Sequence, residues 1–257
     1  MAWTLRSPVP GGPCLFCGNA RAVRSRVMPA WMDLCFPDDR AWGSKRAIAC
    51  KDCNEGWIKE LEHRSRPLVS GMIAGLPVIL AQQNQEMLAR WVAKTVLSLQ
   101  AERDPELLPV AAYQQLTATR RPPDGLRVSV ALRPHEGKWP YRFASMGSAS
   151  TLRDFDVQPT FPGTMLDHFY AELCLGHLVI RVGAQWTPHG HRLPVGPAAV
   201  QVWPLSVPVR WPPKRGIVRL VDERIPDGPI VDEPDVDEPL VDQPDTDEPD
   251  GDERIAA

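Results

Sequence analysis

Apolar positions between Gln85 and Gln100 recur with a period near 3.6, placing Leu88, Trp91, Val92, Thr95, Val96 and Leu99 on one face. That spacing predicts an amphipathic helix, with Asn84 or a nearby polar residue as its cap. A second helical pattern, NEGWIKELEHRSRP, begins at Asn54 with Trp57, Ile58 and Leu61 as its apolar side, and Pro67 is expected to stop it. Residues 67–121 read as a helical segment. The turn signal Pro122-Pro123-Asp124-Gly125 ends it, and the period then shortens towards two. LRVSVAL alternates, KWPYRFASM resembles an edge strand broken by Pro140, and FYAELCLGHLVIRVG is long enough for one bent strand or a hairpin. The prolines of AVQVWPLSVPVRWPP argue against a central strand there. Upstream, AVRSRVMPAW predicts a strand ending at Pro29, and RAIAC predicts a short strand before Cys50.

These patterns define an α+β chain of four segments: a cysteine-bearing module over 1–66, the helical segment over 67–121, a mainly β region over 122–220, and a tail over 221–257. The tail repeats a Val/Thr-Asp-Glu/Gln-Pro unit without aromatic residues, so carboxylate repulsion and proline oppose a compact core, and disorder is expected. Fifteen acidic residues and one basic residue lie between Asp222 and Glu253, whereas residues 1–221 hold 27 basic and 17 acidic residues. A +10 body suits a polyanionic partner, and the −14 stretch is a candidate competitor for the same surface or a solubilising tail. No run of 18 apolar residues occurs and the N-terminus lacks a secretory layout, so no membrane span and a cytoplasmic location are expected.

Four of the six cysteines form two CxxC pairs, Cys14-Leu-Phe-Cys17 and Cys50-Lys-Asp-Cys53. A two-residue spacer lets both thiolates of a tight turn face one ion, and two such turns complete a closed tetrahedral site. Gly18 suits the positive-φ position of the first turn. A structural zinc on Cys14, Cys17, Cys50 and Cys53 is therefore expected; redox-active pairs are the alternative, without a thioredoxin-like context around them. Cys35 and Cys174 stand alone and read as small buried side chains. His189-Gly-His191 reads as a solvated loop rather than a metal pair, and the dispersed tryptophans as core.

CLFCG, VMPAW and CKDCNEGWIKELE together resemble the HNH endonucleases, in particular a bacterial and phage group with two CxxC pairs. Pro29, Trp31, Asn54, Gly56, Trp57, Leu61 and Glu62 carry the match. The resemblance covers residues 14–213, with a weaker match towards its C-terminal end. It implies a zinc-stabilised ββα-metal module over 1–66, DNA as substrate class, and Mg²⁺ or Mn²⁺ if the chain is catalytically active. Where that group carries a Glu-His pair at the end of the first strand, this chain has Ser25-Arg26. The family histidine is the general base, and an arginine with a pKa above roughly 12 cannot take a proton near neutrality. Serine is a poor ligand in place of a carboxylate. Asn54 keeps the helix position, and His63 falls on the opposite helix face at about 100° per residue. Asp52 and Glu55 read as solvated acids of the first helical turn.

The expectation is an HNH-type homologue acting on or binding DNA with impaired catalysis. A catalytically inactive zinc-containing module that binds nucleic acid or a protein is the alternative. Arg21, Arg24, Arg26, Lys45, Arg46 and Lys51 flank the site and are the candidate phosphate contacts.

Overall fold

The computed structural model describes residues 12–18, 21–36, 46–104, 108–133, 141–148, 168–185 and 199–213. The chain divides into two units, Met1–Val221 and Asp222–Ala257, and every described residue lies in the first. The tail expected to be disordered lies outside the described residues, as do Pro140, His135, His189, His191, Trp139, Trp186 and Lys45.

The architecture is mixed helix and sheet. Strand β1 (Val23–Arg26) pairs antiparallel with β2 (Arg46–Ala49), Val23 opposite Ala49 and Arg26 opposite Arg46. A short 3-10 turn, Ala30–Leu34, follows β1 directly after Pro29. Helix α1 (Lys51–Cys53) runs into a π-helical turn, Asn54–Ile58, and then into α2 (Lys59–Ile73). Gly56 sits inside that turn with non-helical φ −86° and ψ −113°, a conformation that a residue without Cβ adopts cheaply.

Pro67 does not end the helix. It lies within α2, exposed, where its missing N–H leaves the carbonyl of the exposed His63 to solvent. The helix continues because Leu68, Val69, Met72 and Ile73 are buried against its neighbours. The helical reading of 67–121 is also interrupted, by strand β3 (Val78–Leu80), which pairs with β9 (Val209–Trp211). Three residues are too few to show a period, and the partner strand lies far along the chain.

Helix α3 (Gln82–Arg103) packs against α2, α4 (Val110–Thr119), β2, β3 and β8 (Val200–Trp203). The predicted face is buried, and so is every residue from Trp91 to Ala101, because neighbours cover the helix all round. Full burial of each large apolar side chain contributes about 1.5–3 kcal/mol, so this helix is the centre of the core. Its N-cap is Ala81, without a side-chain bond. Asn84 does not cap: its amide donates to the carbonyl of Ile79 at 2.8 Å.

The β region forms one antiparallel sheet in the order β5-β6-β7-β4-β8, from β4 (Leu126–Leu132), β5 (Tyr141–Ser148), β6 (His168–Leu175), β7 (Leu178–Gln185) and β8. β6 and β7 are a hairpin, which decides between the two forms left open for that stretch. Gly176 takes φ +54° at its turn, and His177 N–H donates to the carbonyl of Ile73 at 3.0 Å. β5 is an edge strand. The Trp203–Pro204 and Trp211–Pro212 bonds are cis and follow β8, the other edge, and β9.

Candidate metal centre and basic strand

The first cysteine turn closes through Gly18 N–H donating to the carbonyl of Cys14 at 2.9 Å, with Gly18 at φ +76°. The second is the start of α1: Asn54 N–H donates to the carbonyl of Cys50 at 3.0 Å, and Cys53 N–H points at the Cys50 sulfur at 3.5 Å. Cys50 N–H in turn points at the Cys14 sulfur at 3.2 Å, which links the two turns. The ligand atoms of Cys14, Cys17, Cys50 and Cys53 lie within 4.8 Å of one another, Cys17 and Cys50 Sγ 3.6 Å apart. All four are free thiols, and all but the half-buried Cys17 are buried. Tetrahedral coordination at a metal–sulfur distance near 2.3 Å needs sulfurs about 3.8 Å apart, so this cluster can hold a metal ion.

Local electrostatics separate the thiols. Burial raises the Cys50 thiol, but the Cys53 N–H and the neighbouring thiols that bond to it outweigh burial, and its pKa falls below the ordinary value. Burial and the charge of Cys14 push Cys53 strongly up. Four thiolates held together in this way repel one another until a cation neutralises them.

Aromatic packing fixes the first turn to the helices. Phe16 meets Trp57 edge-on, with centroids 5.4 Å apart, and Tyr113 on α4 at 6.3 Å. Behind the cluster, Lys94 of α3 donates to the Val27 carbonyl at 2.6 Å and to Glu62 of α2. Glu62, one of the resemblance residues, is therefore a structural ion-pair partner.

Of the predicted phosphate contacts, Arg21 and Arg24 are exposed, and Arg21 takes φ +75°. Arg46 stands directly across the ladder from Arg26. Lys51 is exposed and 3.9 Å from Glu55, a weak pairing in solvent. Arg26 has a partner that the sequence reading missed: its guanidinium donates to Asp33 at 2.7 Å. The signal was the seven-residue spacing across Pro29, where the 3-10 turn folds Asp33 back. The Ser25 hydroxyl and Arg26 Nε are buried without a partner among the described residues. Asn54 directly follows Cys53 and is half-buried, whereas Asp52, Glu55 and His63 are exposed. Cys174 is buried and Cys35 half-buried, its thiol raised by burial against the opposing charge of Arg66. Trp91 and Trp211 are buried, in line with core roles. Among the described residues no helix is long and apolar enough to cross a membrane.

No known family, curated protein or solved structure matches this chain.

Proposed function

We propose that residues 14–66 form a zinc-bound HNH-like ββα-metal module that binds DNA without efficient hydrolysis. The observation that carries the reading is the convergence of four sulfurs at the first turn of the helix that follows the antiparallel β1–β2 pair. A four-thiolate set suits zinc in a closed, structural role, because it leaves no open position for a substrate. At the end of β1 stands Arg26, which cannot accept a proton and is already engaged by Asp33. The basic side chains on β1 and α1 supply sequence-independent attraction to phosphates.

The test pairs binding with cleavage. Plasmid incubated with the protein and Mg²⁺ or Mn²⁺ stays intact, while a gel shift detects binding that weakens in Arg26→Ala. The double variant Ser25→Glu/Arg26→His restores the family pair and is the positive control for nicking. Efficient cleavage by the wild type overturns the loss of catalysis, and absence of any DNA affinity overturns the nucleic-acid reading.

A second reading rests on two exposed apolar side chains of the same module, Val23 and Leu34, at 56% and 75%. They favour a protein partner for a catalytically inactive zinc module, which gains if DNA fails to bind.

A further inference from the structure

A cavity of about 480 Å³ lies where the π-turn, α2, α3 and α4 meet. Its floor is apolar: Trp57, Leu61, Met87 and Leu116. Its rim is ionic. Arg64 pairs with Glu60, while both Arg90 and Arg121 bond to Glu86. Arg120 has no carboxylate among the described residues and lies instead over the Trp57 ring, Cζ 4.7 Å from its centroid. Arg120 is also the left-handed cap of α4, at φ +56°, which turns its side chain back over the cavity. Three guanidiniums of the lining, Arg64, Arg90 and Arg120, thus face two carboxylates, a local excess of one positive charge, and Arg121 reaches Glu86 from outside the lining. The Nε of Arg90 is buried and has no acceptor among the described residues.

We infer that this cavity is a binding site for a small planar aromatic anion, its ring on the apolar floor and its charge on Arg120 and Arg90. The volume falls within the range of small-molecule sites, about 300–1,000 Å³. An arginine lying on an indole is already desolvated on one face and presents its fork to a carboxylate or phosphate. A cationic ligand is disfavoured by the excess charge. An aliphatic anion leaves the floor unused. This inference does not depend on the DNA reading, because the cavity is built from other residues than the β1 strand.

Phosphate and carboxylate sources share this chemistry, and titration calorimetry on the full chain separates them. Deoxyadenosine monophosphate, 2-naphthoate and inorganic phosphate are the three probes. Saturable binding of one aromatic anion, with inorganic phosphate at least tenfold weaker, is expected, and the aromatic probe that binds names the source. Arg120→Gln should weaken that probe at least tenfold and Met87→Trp should block it by filling the cavity, while Arg127→Ala, exposed on β4 and outside the cavity lining, leaves it unchanged. The far-ultraviolet circular dichroism of each variant checks that it is folded, and Arg120→Lys, which keeps charge but loses the fork, serves if Arg120→Gln is not. No saturable binding of either aromatic anion overturns the inference. So does equal binding of inorganic phosphate, or an affinity insensitive to Arg120.

Discussion

Lys94 and Glu62 form an ion pair across the α3–α2 interface, with the ammonium fully enclosed and also bonded to the Val27 carbonyl. One side chain thereby ties the central helix to both the helix after the cysteine cluster and the end of the β1 segment. Removing it strands a mostly buried carboxylate and a carbonyl. Lys94→Ala should cost about 3 kcal/mol, the low end for a broken buried pair because Glu62 keeps some solvent contact. The urea midpoint measures it. Lys94→Met combined with Glu62→Leu should recover most of that loss, and a double variant no better than the single would show that the pair is not the cause.

Elemental analysis of the purified chain should find one zinc per molecule. Replacing the most central thiol, Cys50→Ser, should remove the metal and destabilise the fold by about 3 kcal/mol or more, a thermal midpoint lowered by roughly 6–12 °C. A strong chelator should reproduce that drop in the wild type. A midpoint indifferent to chelation would dismiss a structural metal.

The bond from Arg26 to Asp33 is half exposed and worth about 1 kcal/mol at most to stability, yet it occupies the guanidinium. Asp33→Asn should leave the unfolding midpoint nearly unchanged and tighten DNA binding. If the freed Arg26 reaches one more phosphate, the slope of log K against log salt steepens by about 0.9. An unaltered slope would mean that releasing Arg26 from Asp33 adds no phosphate contact.

Two glycines should respond in opposite directions. A Cβ on Gly176 would lie 2.8 Å from the Ile73 carbonyl oxygen, and its φ of +54° already disfavours other residues. Gly176→Ala should therefore destabilise by about 2 kcal/mol or more. Gly71 is helical, and its Cβ would meet only Val78 at an ordinary 3.8 Å. Gly71→Ala should stabilise by up to about 1 kcal/mol. Denaturant titrations of the two variants check both signs.

Burial pushes the phenols of Tyr113 and Tyr170 up, Tyr170 to about 12 with Glu172 adding to the effect. The folded state then keeps protons that the unfolded chain releases near the ordinary phenol value of about 10. Stability is full below about pH 10 and falls as pH rises towards 12 and beyond, at up to about 1.4 kcal/mol per unit for the fully buried Tyr113. Tyr113→Phe gives up a bond to the Leu97 carbonyl at 3.2 Å but should flatten the alkaline loss. An unchanged slope above pH 10 would contradict this.

What the sequence discloses depends on how far apart the interacting groups lie. The two CxxC spacings and Gly18 foretell the four-sulfur cluster, because each turn is local and only their meeting is not. The Leu88-to-Leu99 stripe foretells α3, yet nothing local marks Lys94 or Gln100 as buried. Their partners, Glu62, Val27 and Ser145, are tens of residues away. Pro67 misled for the opposite reason: a strong local rule yields to tertiary packing when the orphaned carbonyl faces water. Arg26 was readable as a cation but not as a paired one, since Asp33 reaches it only through the bend after Pro29.

The pairing of Val78–Leu80 with Val209–Trp211 has a consequence for the newly made chain. Synthesis runs from the N-terminus, so a Val-Ile-Leu edge with neither charge nor proline waits for its complement until residue 211 has been added. Open apolar edges recruit strands from other molecules. The hazardous interval for this protein is therefore its birth rather than its later working life, and a fragment cut before Val209 should precipitate where the intact body stays in solution.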